Sequence, residues 1–392
     1  MKNRLSVIQS VPVWLPQTGT WLHDQVRFLP DDIESHVVCE TTQRLDQFPF
    51  HNIDCLRDQP RLKFVWDLGM RKIGARKHLH FHVACARKHG ARLMHSHFGN
   101  TAWQDLGAAR AASLHHVVTF YGRDVNHLPT VDPRWRERYG ELFRRVDCVL
   151  CEGEFMAASI VRLGCPENKV RVHHLGVDVE AITFVPREWA PGQPLRVFMA
   201  SVFREKKGIP YGLEALGRLQ HDVPLEITII GDAHGTAGTR EEKKKILATI
   251  EKHGLGPRTR RLGITPYEVM RREALDHHVF MSPSVTAADG DTEGGVPVSI
   301  IEMCASGMPV VSTRHCDIPG VILDGKTGLL ADERDVDGLV RGLRWLVEHP
   351  GEWSGMLAAS RRRIEQEFDA RTQGTRLGAI YAEIAGGGAV AA

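Results

Sequence analysis

The chain has 392 residues, 42% hydrophobic and 25% charged, which is the balance of a globular protein whose length predicts two domains rather than one. A formal net charge of +2 excludes a globally basic nucleic-acid binder. No apolar run approaches the roughly 20 residues of a membrane span, no long apolar core marks a signal peptide, and eight scattered cysteines fit a reducing cytoplasm.

Leu5 to Val13 predicts a first strand, followed by a loop that contains Gly19 and a helix from Trp21 onward. That is the usual start of an open α/β sheet, where ligands gather at the strand ends. His36 to Cys39 predicts a second strand. Met70 to Arg92 is the most basic segment, with His78, His80, His82 and His89 among its cations and Leu79, Phe81, Val83 and Ala84 between them. It reads either as a helix resting on anionic lipid headgroups or as a solvated helix face. The histidines bring no acidic or Cys partner, so they predict no metal site.

Leu93 to Gly99 and Val117 to Asp124 each read as a buried strand running into a Gly-bearing loop. His97 and Asp124 are therefore candidates for a reaction centre, with Gly19, Tyr121 and Arg123 on the same kind of strand-end loop. The alternative makes them loop-fixing hydrogen bonders. Cys148-x-x-Cys151 reads as a buried strand rather than metal or redox chemistry. Val170 to Leu175 continues the alternation.

Pro186 to Pro194 packs three prolines and a glycine into nine residues and predicts the linker between domains. The α/β rhythm then restarts with strands Leu195 to Ser201 and Leu225 to Ile230. Arg204-Glu205-Lys206-Lys207-Gly208 directly follows the first of these, where cations can neutralise a diphosphate, although a surface charge run would look the same. Arg240 to Lys245 predicts the wet face of a helix. Asp289-Gly290-Asp291 has a metal-bridging spacing, but Asp is expected in a Gly-rich turn for backbone bonding alone. No metal is expected.

Asp289 to Pro309 is the most informative stretch. A loop of acids and glycines feeds a helix of about ten residues, with Pro297 at its start and Gly307 as a left-handed cap. Glu302 sits among Val298, Ile300, Ile301, Met303 and Cys304, so its carboxylate requires a partner. A ligand diol and a core Arg serve equally well on these residues alone.

The chain resembles the retaining glycosyltransferases of family 4. VFMASVFREKKG is similar to the family's donor-phosphate segment, TEGGVPVSIIEMCASGMPVVST to its motif of two glutamates, and IPGVILDGKTGLL to the segment after it. HSHFG and TFYGRD resemble the family's exopolysaccharide enzymes less specifically. The resemblance implies the α/β GT-B fold of two Rossmann-like domains facing each other across a cleft. It implies an acceptor domain over 1–185, a linker over 186–194 and a nucleotide-sugar domain over 195–365. A C-terminal helix over 366–385 would pack back on the first domain, and 386–392 would be a disordered tail. The reaction implied is transfer of a sugar, with retention, from a nucleoside diphosphate sugar to a sugar or lipid-linked saccharide acceptor, without cofactor or metal. His97 and Glu293 would be the catalytic residues. Arg204, Lys207, Gly294, Gly295, Val296, Pro297 and Glu302 would bind the donor, with Glu302 on the ribose and Lys207 on the diphosphate. Gly19, Tyr121, Arg123 and Asp124 would face the acceptor. A cytoplasmic enzyme touching an anionic membrane peripherally is expected, with no nucleic-acid partner. The chain departs from the family in having one residue more between Glu293 and Glu302, and in having Val202 where the family has an arginine. An epimerase or a non-catalytic binding protein of the same fold is the alternative.

Overall fold

The structure, a computed structural model, describes residues 4–16, 19 and 21–386. It divides into two compact units, one of Met1–Val177 with Asp369–Ala392, the other of Asp178–Phe368.

The strands of unit 1 are β1 (Leu5–Trp14), β2 (Ile33–Thr42), β3 (Ile53–Cys55), β4 (Leu93–His97), β5 (His115–Thr119), β6 (Cys148–Cys151) and β7 (Val170–Val172). They form one sheet in the order β3-β2-β1-β4-β5-β6-β7, parallel throughout. Unit 2 contributes β8 (Leu195–Ala200), β9 (Leu225–Ile230), β10 (Thr259–Gly263), β11 (Val279–Ser282), β12 (Val310–Thr313) and β13 (Leu329–Ala331). Their order is β10-β9-β8-β11-β12-β13, again parallel. Central strands with helices on both faces must be apolar on both sides, and Leu195, Val197, Phe198, Met199 and Val279 to Met281 are all buried. Both sheets reverse their strand order beside their first strand, between β1 and β4 and between β8 and β11. The rule for open α/β sheets places a ligand at the carboxyl ends of those strands.

The chain passes from unit 1 to unit 2 at Val177/Asp178, ahead of the proline-rich stretch 186–194 in which the linker is expected. That stretch is bound into unit 2. Arg187, 5% exposed, sends its guanidinium to the carbonyls of Val185, Ala274, His277 and Ser306, and Trp189 joins the hydrophobic core. Burial lowers the pKa of Arg187 to about 10. The chain returns to unit 1 after the helix Trp353–Glu367, where Ala370 N–H donates to Val177 O at 2.9 Å. The last helix, Ala370–Gly386, lies with unit 1 and takes in Gly386, the first residue of the tail expected over 386–392, whose other residues fall outside the described ones. Cys148 and Cys151 are buried in β6, as a strand reading requires. No helix of the described residues is long and apolar enough to cross a membrane.

Candidate functional site

In unit 2, β8 gives way to the loop that carries Arg204 and a short 3-10 turn, Glu205–Lys207. Gly208 ends the turn at φ 61°, and a Cβ there would stand 1.8 Å from Pro283 O, so only glycine brings this loop against the end of β11. The same approach is held by Lys206 O, which accepts from Val285 N–H at 2.8 Å.

Across from this turn lies the loop after β11. Lys207 Nζ sits 2.8 Å from Glu293 Oε2, and Ser284 Oγ donates to Glu293 Oε1 at 2.7 Å. The Glu293 side chain is only 6% exposed. Burial alone would raise its pKa, but the ammonium groups of Lys207 and Lys206, with hydrogen bonds from Lys207 and Ser284, outweigh burial and hold it at about 2. Its own N–H donates to His315 Nε2 at 3.1 Å, and His315 Nδ1 donates to Glu333 at 2.6 Å. Glu333 also accepts from Thr286 N–H at 2.7 Å. A relay through the buried His315 therefore fixes the loop on which Glu293 rides.

Asp291 is likewise occupied. Lys206 Nζ lies 3.1 Å from it and 2.7 Å from Thr292 O, and Arg204 lies 3.8 Å away. Asp289 accepts from Asp291 N–H at 3.0 Å, the turn-forming bond expected of Asp beside glycine. Gly294 has φ 79°, and its N–H donates to Thr292 Oγ1 at 3.2 Å, so that N–H is spent within the loop rather than offered outward. Gly295 and Val296 are buried behind it, and Pro297 opens the helix Val298–Ser306. Gly307 caps that helix at φ 81°, where sequence places it.

Glu302 differs from expectation. It is half-buried rather than enclosed, because Val298, Ser299 and Glu302 share the one face of the helix that the core leaves open. Tyr267 is a partner, its O–H donating to Glu302 at 2.6 Å. Lys207, Glu293 and Glu302 thus all stand at the carboxyl side of the paired strands β8 and β11, where the strand order reverses. A cavity of about 870 Å³ bordered by Arg196, Glu226, Arg258 and Asp276 lies at the opposite, amino ends of β8 to β10.

In unit 1, His97 ends β4 and is fully buried. Burial lowers its pKa to about 3, so the ring is neutral. His97 Nε2–H donates to Gln9 Oε1 at 3.0 Å, and its Nδ1 accepts from Tyr121 O–H at 2.6 Å. Gln9 Nε2 donates to Tyr381 at 3.2 Å, Tyr381 O–H to His95 Nδ1 at 2.5 Å, and His95 Nε2–H to Thr119 Oγ1 at 2.7 Å. These bonds form an open chain from Tyr121 to Thr119, and Tyr381 joins it from the last helix of the chain. Such a chain polarises each member in turn. Both nitrogens of His97 are engaged, and the hydroxyl of the half-buried Tyr121 also lies 3.3 Å from Gln25 Oε1.

Asp124 takes the loop-fixing role. Its carboxylate accepts from Gly99 N–H at 2.7 Å and Tyr121 N–H at 3.0 Å, and burial raises its pKa to about 6 against those donors. Gly99 is packed so closely that a Cβ would meet the Phe120 ring at 2.1 Å. Arg123 is exposed beside it. Gly19 is buried in the loop after β1, its N–H on Pro16 O at 2.9 Å, just ahead of Trp21, whose ring lies 4.4 Å from that of Tyr121.

The family description "Glycosyl transferases group 1" matches residues 183–367, and "Glycosyltransferase Family 4" matches 18–181. The chain belongs to glycosyltransferase family 4. It is 29% identical over 333 residues to a glycosyltransferase named for colanic acid biosynthesis, WcaL of Escherichia coli strain K12, covering 81% of this chain and 78% of that one. It is 29% identical over 294 residues to the amylovoran biosynthesis glycosyltransferase AmsK of Erwinia amylovora, covering 75% and 70%. Among solved structures, Anabaena Alr3699/HepE in complex with UDP and glucose superposes with a TM-score of 0.76 at 14% identity, over 97% of this chain and 100% of that one. A glycosyltransferase from Rickettsia africae gives 0.74 at 16% identity, over 97% and 99%. The fold of this glycosyltransferase is GT-B.

Sequence reading missed Lys206, Ser284, His315 and Glu333, which hold the Glu293 loop, and Gln9, His95 and Tyr381, which hold His97. Their one signal is position: most lie at strand ends or in the segments just after them, as the site does.

Proposed function

We propose that this glycosyltransferase moves a sugar from a nucleoside diphosphate sugar to an acceptor hydroxyl with retention of anomeric configuration, in the building of a surface polysaccharide. The observation that carries the reading is the ion pair of Lys207 with the buried Glu293 at the switch point of the unit 2 sheet. On this reading Glu302 binds the ribose hydroxyls, Lys207 and Arg204 meet the diphosphate, and Glu293 with the segment Gly294–Pro297 lies along the donor sugar. When donor binds, the phosphate competes with Glu293 for Lys207, leaving a carboxylate held by Ser284 to accept from sugar hydroxyls. Charge building on the departing diphosphate is stabilised by cations already in place, so no metal is required. His97, being neutral, acts through hydrogen bonding rather than proton transfer, with Tyr121 beside it on the acceptor side. The names of the colanic acid and amylovoran relatives support a polysaccharide product. On this reading the acceptor is a saccharide carried on a lipid, and the enzyme touches an anionic membrane peripherally.

A transfer assay with a panel of nucleotide sugars, with and without chelator, tests this. One donor should support transfer, the product should keep the donor's anomeric configuration by NMR, and chelator should leave the rate unchanged. An epimerised sugar formed without acceptor, or inversion in the product, would refute it.

A further inference from the structure

Four exposed large hydrophobic side chains fall on or just after one helix of unit 1, Arg61–Lys72: Leu62 is 87% exposed, Val65 64%, Trp66 51% and Ile73 75%. Spacings of three, four, seven and eleven residues put Leu62, Val65, Trp66, Gly69 and Ile73 on one side. The inner side is satisfied separately, by Phe64 and Leu68 packed on the core and by Asp67 accepting from His80 and Phe81 N–H. The helix is therefore apolar on two faces, and only one of them is covered. A Cβ at Gly69 would meet nothing within 4 Å, so the outer face is open along its length.

The rim of that face is basic. Arg61 and Lys72 flank it on one side, Lys63 on the other, and Lys77 follows, all exposed. Residues 51–92 carry ten Lys and Arg against three Asp and no Glu, in a chain whose net charge is only +2. Two of those acids are occupied, Asp54 by Lys88 and His89, and Asp67 by Arg76 and backbone N–H groups. Arg76 also lies 4.1 Å over the Trp66 ring, a cation held beside an indole. The second helix of the basic segment, His80–Lys88, buries Phe81, His82, Val83, Cys85 and Ala86, so it does not contribute this surface.

We infer that the outer face of the helix Arg61–Lys72 docks on an anionic lipid surface, Leu62, Val65, Trp66 and Ile73 entering the headgroup region and the surrounding cations engaging lipid phosphates. A narrow apolar stripe with a basic rim and an interfacial tryptophan has the chemistry of such a surface. A second copy of the chain is disfavoured, since a symmetric contact would set lysine rim against lysine rim. The inference deepens the membrane part of the proposed function but stands apart from the donor site.

The test is co-sedimentation of the full chain, without donor or acceptor, with vesicles of phosphatidylcholine alone and of phosphatidylcholine with phosphatidylglycerol. Binding is expected only to the anionic vesicles and should weaken as salt rises. Leu62→Asp with Ile73→Asp should weaken it by roughly tenfold or more, Lys63→Glu with Lys72→Glu should do the same, and Gly69→Leu should tighten it. Circular dichroism and binding of UDP, GDP and ADP should be unchanged in all three, which separates this surface from the donor site. Equal binding to both vesicle types, or wild-type binding by the Leu62→Asp, Ile73→Asp variant, would overturn the inference. So would a lower mass in solution for that variant, which would assign the face to self-association.

Discussion

At the scale of single residues, the pairing of Lys207 with Glu293 is both a stabilising contact and the feature that readies the site. Removing the lysine leaves a buried carboxylate without its main counter-charge, so Lys207→Ala should cost roughly 3 kcal/mol at neutral pH in denaturant unfolding. Adding Glu293→Gln should recover most of that loss but not sugar transfer, because the cation proposed to meet the diphosphate is still missing. Wild-type stability in the single variant would show that the pair is not load-sharing in this way. The pH sign follows from the depressed pKa of about 2. The folded state holds the Glu293 proton less tightly than the unfolded chain, so this contribution is complete above the unfolded value and is lost as pH falls toward about 2. Gly208 gives a second test. With φ 61° and Pro283 O at 1.8 Å from a Cβ, Gly208→Ala must move the loop that carries Lys207. Nucleotide affinity should drop with it.

At the scale of elements, the last helix is tied to the strand ends through Tyr381, far away in sequence from Gln9 and His95. Tyr381→Phe keeps the packing but breaks the hydrogen-bonded chain, leaving His95 Nδ1 buried without its donor. A loss of about 1–2 kcal/mol in unit 1 stability is expected, together with a lower kcat and an unchanged KM for the donor, whose binding the proposed function assigns to unit 2. Equal losses in both constants would place the effect elsewhere. The strands bounded by apolar runs were legible in sequence: Leu225–Ile230 coincides with its expected limits, Leu195–Ala200 ends one residue before its own, and the helix from Pro297 to Gly307 has both caps where the residues put them. The edge strands β3, β10 and β13 were not legible. They are short, and Thr259-Arg-Arg-Leu-Gly carries no apolar run, because an edge strand is stabilised by a neighbour's backbone more than by its own side chains. For the same reason the partners of Glu293 and His97 could not be read: a lysine 86 residues from its glutamate meets it only through the topology. Glu242 makes the point in reverse, lying buried within the charge run Arg240 to Lys245 that reads as wholly solvated.

At the scale of the whole molecule, neutral buried histidines set the response to acid. Burial lowers His97 to about 3 and His116 and His173 to about 4 in unit 1, takes His95 well below its ordinary value, and lowers His278 to about 4 in unit 2. The unfolded chain takes up these protons near pH 6.5 while the folded protein refuses them. Stability is therefore complete above that pH and falls as pH drops from it toward 4, by up to about 1.4 kcal/mol per pH unit for each group. Thermal unfolding followed from pH 7 to pH 5 should show a falling midpoint, with unit 1 the more sensitive because it holds four of the five. A flat midpoint over that range would mean that these rings take up protons while folded.

The account turns on whether the unit 2 residues at the ends of β8 and β11 hold one nucleotide. Calorimetric titration of UDP, GDP and ADP into the wild-type protein, Lys207→Ala and Glu302→Ala measures this most directly. One of the three nucleotides should bind the wild type, and each variant should weaken that same nucleotide by roughly tenfold or more. Undiminished affinity in both variants would contradict the assignment of Lys207 to the diphosphate and of Glu302 to the ribose.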